Sequence, residues 1–395
     1  MTVADRWLLP DGIEEILPNQ AFRVESLRRQ VLDLYHSWGY DLVIPPLVEF
    51  TDSLLSGTGS DLDLMTFKVT DQISGRMMGI RADMTPQTSR MDAHSLRRNG
   101  PSRLCYTGTV LYTKPRYPLA SRSPIQIGVE LYGESGLDAD IEVISLMVET
   151  LRLAGLEKPQ LDLGHVGIYG NLLEDAGLTK DQESTLFDLL QRKSIPELDT
   201  WIADNIEDST SATMIRALVD LSGDESVLDR ARELFAEAPA EVELALDELQ
   251  AVVDALKISS PDSQLYLDLS ELRGYHYHTG VVFAAYAPGV GQAIGNGGRY
   301  DHVGEAFGRS RPATGFNMSL QALVQISNSM DHTPNGIFAP VTETDVAEQQ
   351  KAISELRKNG ERVVSGFPGQ QPNYEELHCN RQLLLVDGEF RVKAV

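Results

Sequence analysis

Two pairs of strand-like segments follow each other closely in the first third of the chain. Met65–Thr70 and Met77–Arg81 flank a short polar stretch with Gly75, which suits a hairpin turn. Consecutive strands joined this tightly imply antiparallel pairing, because parallel strands need a long crossover. Leu104–Thr113 and Pro124–Tyr132 form a second pair across a longer loop. The sequence therefore predicts antiparallel sheet structure in this part of the chain.

Helical patterns flank these strands. Gln20–Trp38 and Asp140–Leu153 space their apolar residues close to the helical period. Between the first helix and the hairpin, Tyr40–Val48 is predicted to be a strand interrupted by two prolines. Proline cannot donate to a strand ladder, so this segment is expected at a sheet edge or an interface.

Length and composition divide the chain into regions. Its 395 residues are enough for two or three domains. We predict a main domain over residues 1–325, and within it a helical insertion over residues 170–260, where Leu, Ala, Asp and Glu dominate. Strand and helix patterns after residue 325 predict a small α/β domain over residues 326–395, which has no readable catalytic motif.

The charge balance bears on the class of partner. The formal net charge is −24, from 58 acidic and 34 basic residues. A nucleic-acid ligand requires cations that displace the counterions of the phosphates, so no nucleic-acid partner is predicted. Cys105 and Cys379 are too few and too far apart for a disulfide framework or a metal site. The chain has no apolar run of eighteen residues and no secretory signal pattern, so we expect a cytoplasmic protein with no membrane partner.

Several polar residues are placed where a ligand could bind. Gln126 and Glu130 alternate along a predicted strand and therefore share one face, where an amide and a carboxylate could receive an ammonium group and a polar ring. An exposed polar face is the alternative interpretation. Asp83 and Thr85 follow the end of a strand, where open backbone could meet a ligand. Their alternative role is to cap the next helix, Gln87–Leu96.

Aromatic and glycine-rich segments lie in the last third of the main domain. Arg273–Phe283 contains two phenols and two imidazoles in four consecutive positions, including Tyr277 and His278. Metal binding would require a carboxylate or cysteine partner, and none lies nearby in sequence, so no metal is predicted. Gly295–Asp301 has three glycines in four residues, which would let its backbone approach a ligand closely or simply form a tight loop.

Taken in order, these segments resemble the core of histidyl-tRNA synthetases over roughly residues 5–325. The resemblance implies an α+β, class II synthetase-like core with a six- or seven-stranded antiparallel sheet and flanking helices. It also implies that the carboxylates of Asp83 and Glu130 hold an amino group. Two positions depart from the family pattern, since Asp83 is one methylene shorter than the usual glutamate and His278 replaces a tyrosine. The histidine-binding residues implied in this way are Asp83, Thr85, Gln126, Glu130, Arg273, Tyr277 and His278.

Two other positions depart from the family where it binds ATP. Tyr112 and Ala322 stand where the synthetases carry arginines. Activation of an amino acid attacks the α-phosphate of ATP and requires positive charge where negative charge accumulates. Lys114, Arg116 and Arg122 lie near the first position, but a lysine does not reproduce the bidentate fork of an arginine. We therefore predict no catalytic residues and no cofactor.

A retained histidine pocket, lost ATP motifs and a short C-terminal domain resemble the regulatory subunits of ATP phosphoribosyltransferase. This resemblance implies an allosteric subunit of a glycosyltransferase complex in histidine biosynthesis, with L-histidine as the feedback inhibitor. It implies a hetero-octamer with the short-form catalytic subunit, and the helix, strand and proline pattern near the N-terminus resembles the dimerisation motif of class II synthetases. The alternatives are a histidine-activating or tRNA-modifying synthetase paralogue, or a scaffold with a vestigial pocket.

Overall fold

The architecture comes from a computed structural model, which describes residues 7–57, 60–118, 120–271, 274, 277–327 and 335–395. The chain divides into two compact units, Met1–Ser329 and Met330–Val395. Within the described residues, no helix is long and apolar enough to cross a bilayer.

The first unit contains both large and small elements. Its helices are α1 (Pro18–Ser37), α2 (Thr51–Leu54), α3 (Ser60–Met65), α4 (Thr85–Arg90), α5 (Leu137–Leu153), α6 (Val166–Ala176), α7 (Lys180–Gln191), α8 (Ile195–Asn205), α9 (Ser209–Ala217), α10 (Ser226–Leu234), α11 (Ala240–Ser259) and α12 (Leu320–Ile326). Its strands are β1 (Asp41–Leu42), β2 (Val48–Phe50), β3 (Phe67–Thr70), β4 (Met77–Ile80), β5 (Ser102–Thr109), β6 (Ile125–Tyr132), β7 (Gln160–His165), β8 (Ser222–Gly223), β9 (Gln264–Asp268), β10 (Val281–Tyr286), β11 (Gly295–Arg299) and β12 (Ala313–Ser319).

A large mixed sheet organises this unit. In the described part of the chain it has nine strands in the order β1-β5-β6-β12-β11-β10-β7-β9-β8. The six strands from β5 to β7 in this order are antiparallel, which confirms the predicted class of fold. Two outer strands, β1 and β9, pair in parallel with β5 and β7, so the sheet is larger than the antiparallel core alone.

The proline-interrupted segment divides into two strands instead of forming one. β1 joins the large sheet, whereas β2 joins a separate three-stranded sheet with the hairpin β3–β4. Pro45 and Pro46 lie between β1 and β2, and neither proline can donate to a ladder. The predicted helix over Gln87–Leu96 also differs, because α4 ends at Arg90 and a π-helical turn, Met91–Leu96, follows.

The two faces of the large sheet differ in character. Helices α1 and α5 pack together, and α5 lies against β6, β11 and β12. Tyr35 of α1 meets Phe316 of β12 edge-to-face, with ring centroids 6.1 Å apart, and both side chains are buried. Ile127, Val129 and Leu131 alternate with Gln126, Gly128 and Glu130 along β6. One face of the sheet therefore carries the apolar core, and the opposite face carries the polar candidate residues.

The segment between β7 and β10 is largely helical and contains α6 to α11, β8 and β9. Two of its helices begin at capping residues. Thr179 and Gln182 form a capping box on α7, and the Asp208 side chain caps α9. Helix α11 packs on α5, α6 and β7, so this region is attached to the large sheet through α11.

The second unit is a small α/β domain. Its elements are β13 (Gly336–Ala339), α13 (Val346–Lys358), β14 (Val363–Ser365), β15 (Cys379–Val386) and β16 (Glu389–Ala394). The described strands form a sheet in the order β14-β13-β15-β16. Ile353 of α13 packs with Ile337, Val363 and Leu383, which gives this unit a hydrophobic core of its own.

Candidate functional site

The polar face of the large sheet brings several predicted residues together. Glu130 pairs with Gly315 of β12, and Gln126 pairs with Ser319, so the register places glycine beside the buried carboxylate. The side chains of Gln126 and Glu130 point to the same face, two strand periods apart. They are 4% and 1% exposed, respectively, so this polar face is covered instead of open to water.

Hydroxyl groups surround the carboxylate of Glu130. Its Oε1 accepts hydrogen bonds from Thr85 Oγ1 (2.8 Å) and Tyr106 Oη (2.9 Å). Its Oε2 accepts a hydrogen bond from the Tyr300 hydroxyl. Three hydroxyl groups therefore contact the buried carboxyl group of Glu130, which would otherwise be left without hydrogen-bond partners. The predicted binding residues Thr85 and Glu130 therefore contact each other directly.

Burial controls the protonation of this cluster. Desolvation raises the pKa of Glu130 to about 8, although the hydrogen bonds from Tyr300, Thr85 and Tyr106 lower it. Burial also raises the pKa of Tyr106 and Tyr300 well above the usual range, and the charge of Glu130 adds to this effect. Both phenols therefore remain protonated at neutral pH.

Glycines provide the space that the cluster occupies. A Cβ atom at Gly128 would lie 2.7 Å from Tyr106 Oη. A Cβ atom at Gly315 would lie 1.8 Å from Glu130 Oε2 and 2.5 Å from the carbonyl oxygen of Val129. The absence of side chains at these two glycines therefore leaves space for the side chains of Tyr106 and Glu130 against the sheet.

Substituting Gly315 tests this packing. We expect Gly315→Ala to lower the free energy of unfolding by about 1–3 kcal/mol, because the new methyl group overlaps the Glu130 carboxylate and a backbone carbonyl. Urea denaturation measures the change. Gly100→Ala is the matched control, since no atom lies within 4 Å of the Cβ position there. Equal losses in the two variants would show that the space beside Glu130 is not needed.

Asp83 and Gln126 form a second polar pair. Gln126 Nε2 donates to Asp83 Oδ1 (2.9 Å), and Gln126 Oε1 accepts from the Met84 backbone N–H (3.0 Å). Asp83 Oδ1 also accepts from the Thr85 N–H at 3.2 Å. Asp83 is half-buried, and its Oδ2 accepts no hydrogen bond from any residue that the structure describes. Asp83 is thus the more accessible of the two candidate carboxylates.

Tyr277 and His278 line the other side of the cluster. The Tyr277 ring stacks on Tyr300 with centroids 5.0 Å apart, and His278 meets Tyr277 edge-to-face, also at 5.0 Å. His278 Nδ1 donates to the carbonyl oxygen of Arg299 at 3.1 Å, which assigns the neutral ring its Nδ1–H tautomer. Burial lowers the pKa of His278 to about 4, so the imidazole is neutral at physiological pH.

One predicted residue, Arg273, lies outside the described residues. The other six are on or beside the polar face. Sequence reasoning missed Tyr106 and Tyr300 as the hydroxyl donors to Glu130. The Gly295–Asp301 motif contained Tyr300, but only the pairing of β11 with β12 and of β12 with β6 brings its end near Glu130.

Arg299 of the same glycine-rich motif has a structural role. It donates to Asp140 Oδ2 through Nε (2.9 Å) and Nη2 (2.7 Å), and both side chains are buried. It also donates to the carbonyl oxygens of Glu134 and Gly136. This arginine ties β11 to the start of α5, and its backbone carbonyl orients His278.

A cleft of about 380 Å³ adjoins the site. It is lined by Gln126, Tyr112 and Ala322, among others. The Tyr112 side chain is buried, and the guanidinium carbon of Arg116 lies 4.6 Å from its ring centroid. Ala322 lies in the first turn of α12, where its N–H donates to Ser319 Oγ. The other side chains that line the cleft are mainly amides, hydroxyls and apolar groups.

The described residues contain no group of three His, Cys, Asp or Glu side chains arranged to hold a metal ion. Cys105 and Cys379 are buried free thiols.

The antiparallel sheet and the residues grouped on its polar face define a protein built on the histidyl-tRNA synthetase core. The family model described as histidyl-tRNA synthetase matches residues 12–323. A second model, described as the C-terminal domain of ATP phosphoribosyltransferase subunit HisZ, matches residues 334–393. The chain belongs to the family of ATP phosphoribosyltransferase regulatory subunits.

Relatives over the full length support this assignment. The chain is 56% identical over 395 residues to the ATP phosphoribosyltransferase regulatory subunit of Saccharophagus degradans, with both chains covered completely. It is 53% identical over 394 residues to the protein of the same name from Pseudomonas aeruginosa, with 99% of each chain covered.

Solved structures agree. A Bacillus halodurans protein described as an ATP phosphoribosyltransferase regulatory subunit/histidyl-tRNA synthetase is 28% identical, with a TM-score of 0.81 over 94% of this chain and 95% of that chain. Histidyl-tRNA synthetase from Nostoc sp. PCC 7120 has the same TM-score of 0.81 over 98% and 97% of the two chains. At 17% identity, the Nostoc enzyme supports the fold alone.

Proposed function

We propose that this chain is the regulatory subunit of an ATP phosphoribosyltransferase, and that it reports the concentration of histidine to a separate catalytic subunit. The observation that carries this proposal is the grouping of the candidate residues beside a cleft whose lining includes Tyr112 and Ala322. The names of the full-length relatives support a role in phosphoribosyl transfer, and through it in histidine biosynthesis.

The absence of catalysis in this chain is part of the proposal. Phosphoryl chemistry on ATP is accelerated by arginines that stabilise the charge of the transition state, and one such arginine is worth roughly a thousandfold in rate. Tyr112 and Ala322 line the cleft where those arginines would be expected. The glycosyl transfer is then carried out by the partner, which we propose to be the short-form catalytic subunit.

The proposed ligand is L-histidine. Asp83 is the accessible carboxylate for the ammonium group, and Gln126 holds Asp83 in place. The fully buried Glu130 is engaged by three hydroxyls, which favours a supporting role through Thr85 and the two tyrosines. Tyr277 and His278 supply an aromatic wall. Arg273 is included on the resemblance alone.

Allosteric inhibition requires that histidine binds two states of the complex with different affinities. A coupling free energy of about 1–3 kcal/mol would change the activity of the partner by roughly five- to hundredfold. This range is sufficient for feedback control.

The proposed assembly is a hetero-octamer of four regulatory and four catalytic chains, built on regulatory dimers. Exposed apolar side chains near the proline-interrupted segment support self-association. Ile44 is 81% exposed and Ile73 is 97% exposed, and Leu47, Val48 and Val69 are also exposed in the same region. Exposed apolar surface of this kind is typical of a protein interface.

Reconstitution with a short-form catalytic subunit tests the function. We expect this chain to be required for activity, and histidine to inhibit the complex. Asp83→Asn should weaken histidine inhibition by roughly tenfold or more, because loss of a charged hydrogen-bond partner costs about 1.5–3 kcal/mol. Asp138→Asn, in the first turn of α5, is the matched control and should leave the inhibition constant unchanged.

Two outcomes would contradict the proposal. Full histidine inhibition of the Asp83→Asn complex would place the histidine site elsewhere. Histidine-dependent exchange of pyrophosphate into ATP by the purified chain would instead identify an amino-acid-activating enzyme.

A further inference from the structure

Arg116 is distinct among the residues that line the cleft beside the candidate site. Of the described residues in that lining, it alone carries a positive charge. The lining also contains one carboxylate, Glu14, and uncharged polar side chains such as Asn296, Asn317 and Gln126. A cleft with a single cation is suited to a ligand with one anionic group, and it offers little compensation for a polyphosphate.

The position of this cation is fixed by an aromatic ring. The guanidinium carbon of Arg116 lies 4.6 Å from the centroid of Tyr112, within the range of a cation–π interaction. Tyr112 is buried and held by the backbone, since its N–H donates to the carbonyl oxygen of Arg122 at 2.8 Å. An exposed arginine is thereby held at the mouth of the cleft.

Tyr112 belongs to the same core cluster as Ala82 and Met84, the two residues that flank Asp83 in the sequence. Burial raises the pKa of the Tyr112 phenol, Arg116 lowers it, and the negative charge of Asp83 raises it. Tyr112 therefore lies beside Arg116 and packs on the residues next to Asp83. Gln126 connects Asp83 with the cleft, because its side chain hydrogen-bonds Asp83 and also lines the cleft.

We infer that Arg116 receives the carboxylate of the amino-acid ligand whose ammonium group binds Asp83. The site is then dipolar, with a carboxylate at one end, an arginine at the other and the amide of Gln126 between them. It selects a zwitterionic α-amino acid over the same molecule without its carboxylate. This inference rests on the proposed function, which supplies the identity of the ligand.

Calorimetric titration of the full-length chain with L-histidine and L-histidinamide tests the assignment. The amide keeps the ammonium group and the imidazole but replaces the charged carboxylate. We expect Arg116→Gln to weaken histidine binding about tenfold and to change histidinamide binding less than about twofold. The expected loss for histidine is smaller than that of the strongest charged hydrogen bonds, because Arg116 is exposed to solvent. Arg116→Lys, which retains the charge but not the planar fork, should lose less affinity for histidine than Arg116→Gln.

Lys114→Gln is the matched control. It removes the same charge from the same loop, but Lys114 is not among the cleft-lining residues, so both affinities should remain unchanged. If Lys114→Gln weakens histidine binding as much as Arg116→Gln, the effect is general electrostatics and the assignment is wrong.

Three further results would overturn the inference. Equal weakening of histidine and histidinamide by Arg116→Gln would mean that Arg116 acts only by packing on Tyr112. Unchanged binding in Arg116→Gln, together with a histidine-specific loss in Arg273→Gln, would assign the carboxylate to Arg273 and leave the proposed function intact. Absence of histidine binding by the unmodified chain would overturn both this inference and the proposed histidine site.

Discussion

Replacing Asp92 by alanine is expected to lower the free energy of unfolding by about 3–5 kcal/mol, because it leaves the charge of Arg311 buried without its partner. Asp92 is 2% exposed and Arg311 is 8% exposed. Arg311 Nη1 donates to both carboxylate oxygens of Asp92, at 3.0 and 2.9 Å. The pair connects the π-helical turn to the residues just before β12, where Arg311 also donates to the carbonyl oxygen of Gly100.

Chemical denaturation of Asp92→Ala measures this loss. The matched control is Asp247→Ala, which removes an exposed carboxylate that accepts from Arg232 at 2.7 Å and should cost less than about 1 kcal/mol. The double variant Asp92→Ala/Arg311→Met should recover part of the stability, since it removes the unpaired charge as well. A loss in Asp92→Ala no greater than that of the control would show that water reaches Arg311.

The second large effect is a pH dependence that belongs to Glu130. Burial raises the pKa of Glu130 to about 8 in the folded chain, from an ordinary value of 4.5. Between these two pH values the folded state retains a proton that the unfolded state has released. The free energy of unfolding therefore falls as pH rises through this window, by on the order of 1 kcal/mol per pH unit.

Glu130→Gln removes this titration. We expect the stability of the variant relative to the unmodified chain to increase steadily from pH 5 to pH 8, as measured by urea denaturation at each pH. The difference in free energy of unfolding between the two proteins cancels the pH-dependent contributions of other groups, such as His278. Glu157→Gln, which removes an exposed carboxylate, is the matched control for the loss of one acidic side chain. A constant difference for Glu130→Gln would mean that its carboxylate stays ionised.

Much of the fold could be predicted because its signals are local. The short turn that contains Gly75 requires antiparallel pairing of β3 and β4, because parallel strands need a long crossover. Alternation along β6 is sufficient to put Gln126 and Glu130 on one face, since side chains two and four positions apart on a strand point the same way. The two parallel additions, β1 and β9, left no such signal, since each pairs with a strand that is distant in sequence.

The site was predicted as a set of residues but not as an arrangement. Nothing in the sequence assigned different roles to the carboxylates of Asp83 and Glu130. Asp83 follows the end of a predicted strand, and Glu130 lies on the face of another. In the fold, Asp83 is half-buried and Glu130 is enclosed by hydroxyls from three separate parts of the chain. Tyr106 could not be identified as a donor, because its position across from Gly128 depends on the register of β5 with β6.

The sequence alone determined the class of fold, and it proposed the candidate residues and the replacement of two arginines by Tyr112 and Ala322. These depend on residue types, on strand periodicity and on a resemblance that runs in order along the chain. Only the tertiary structure decided which carboxylate is accessible and which cation faces the cleft. The pairing of β5, β6, β12 and β11 sets distances between residues up to about two hundred positions apart, and burial then sets their charges.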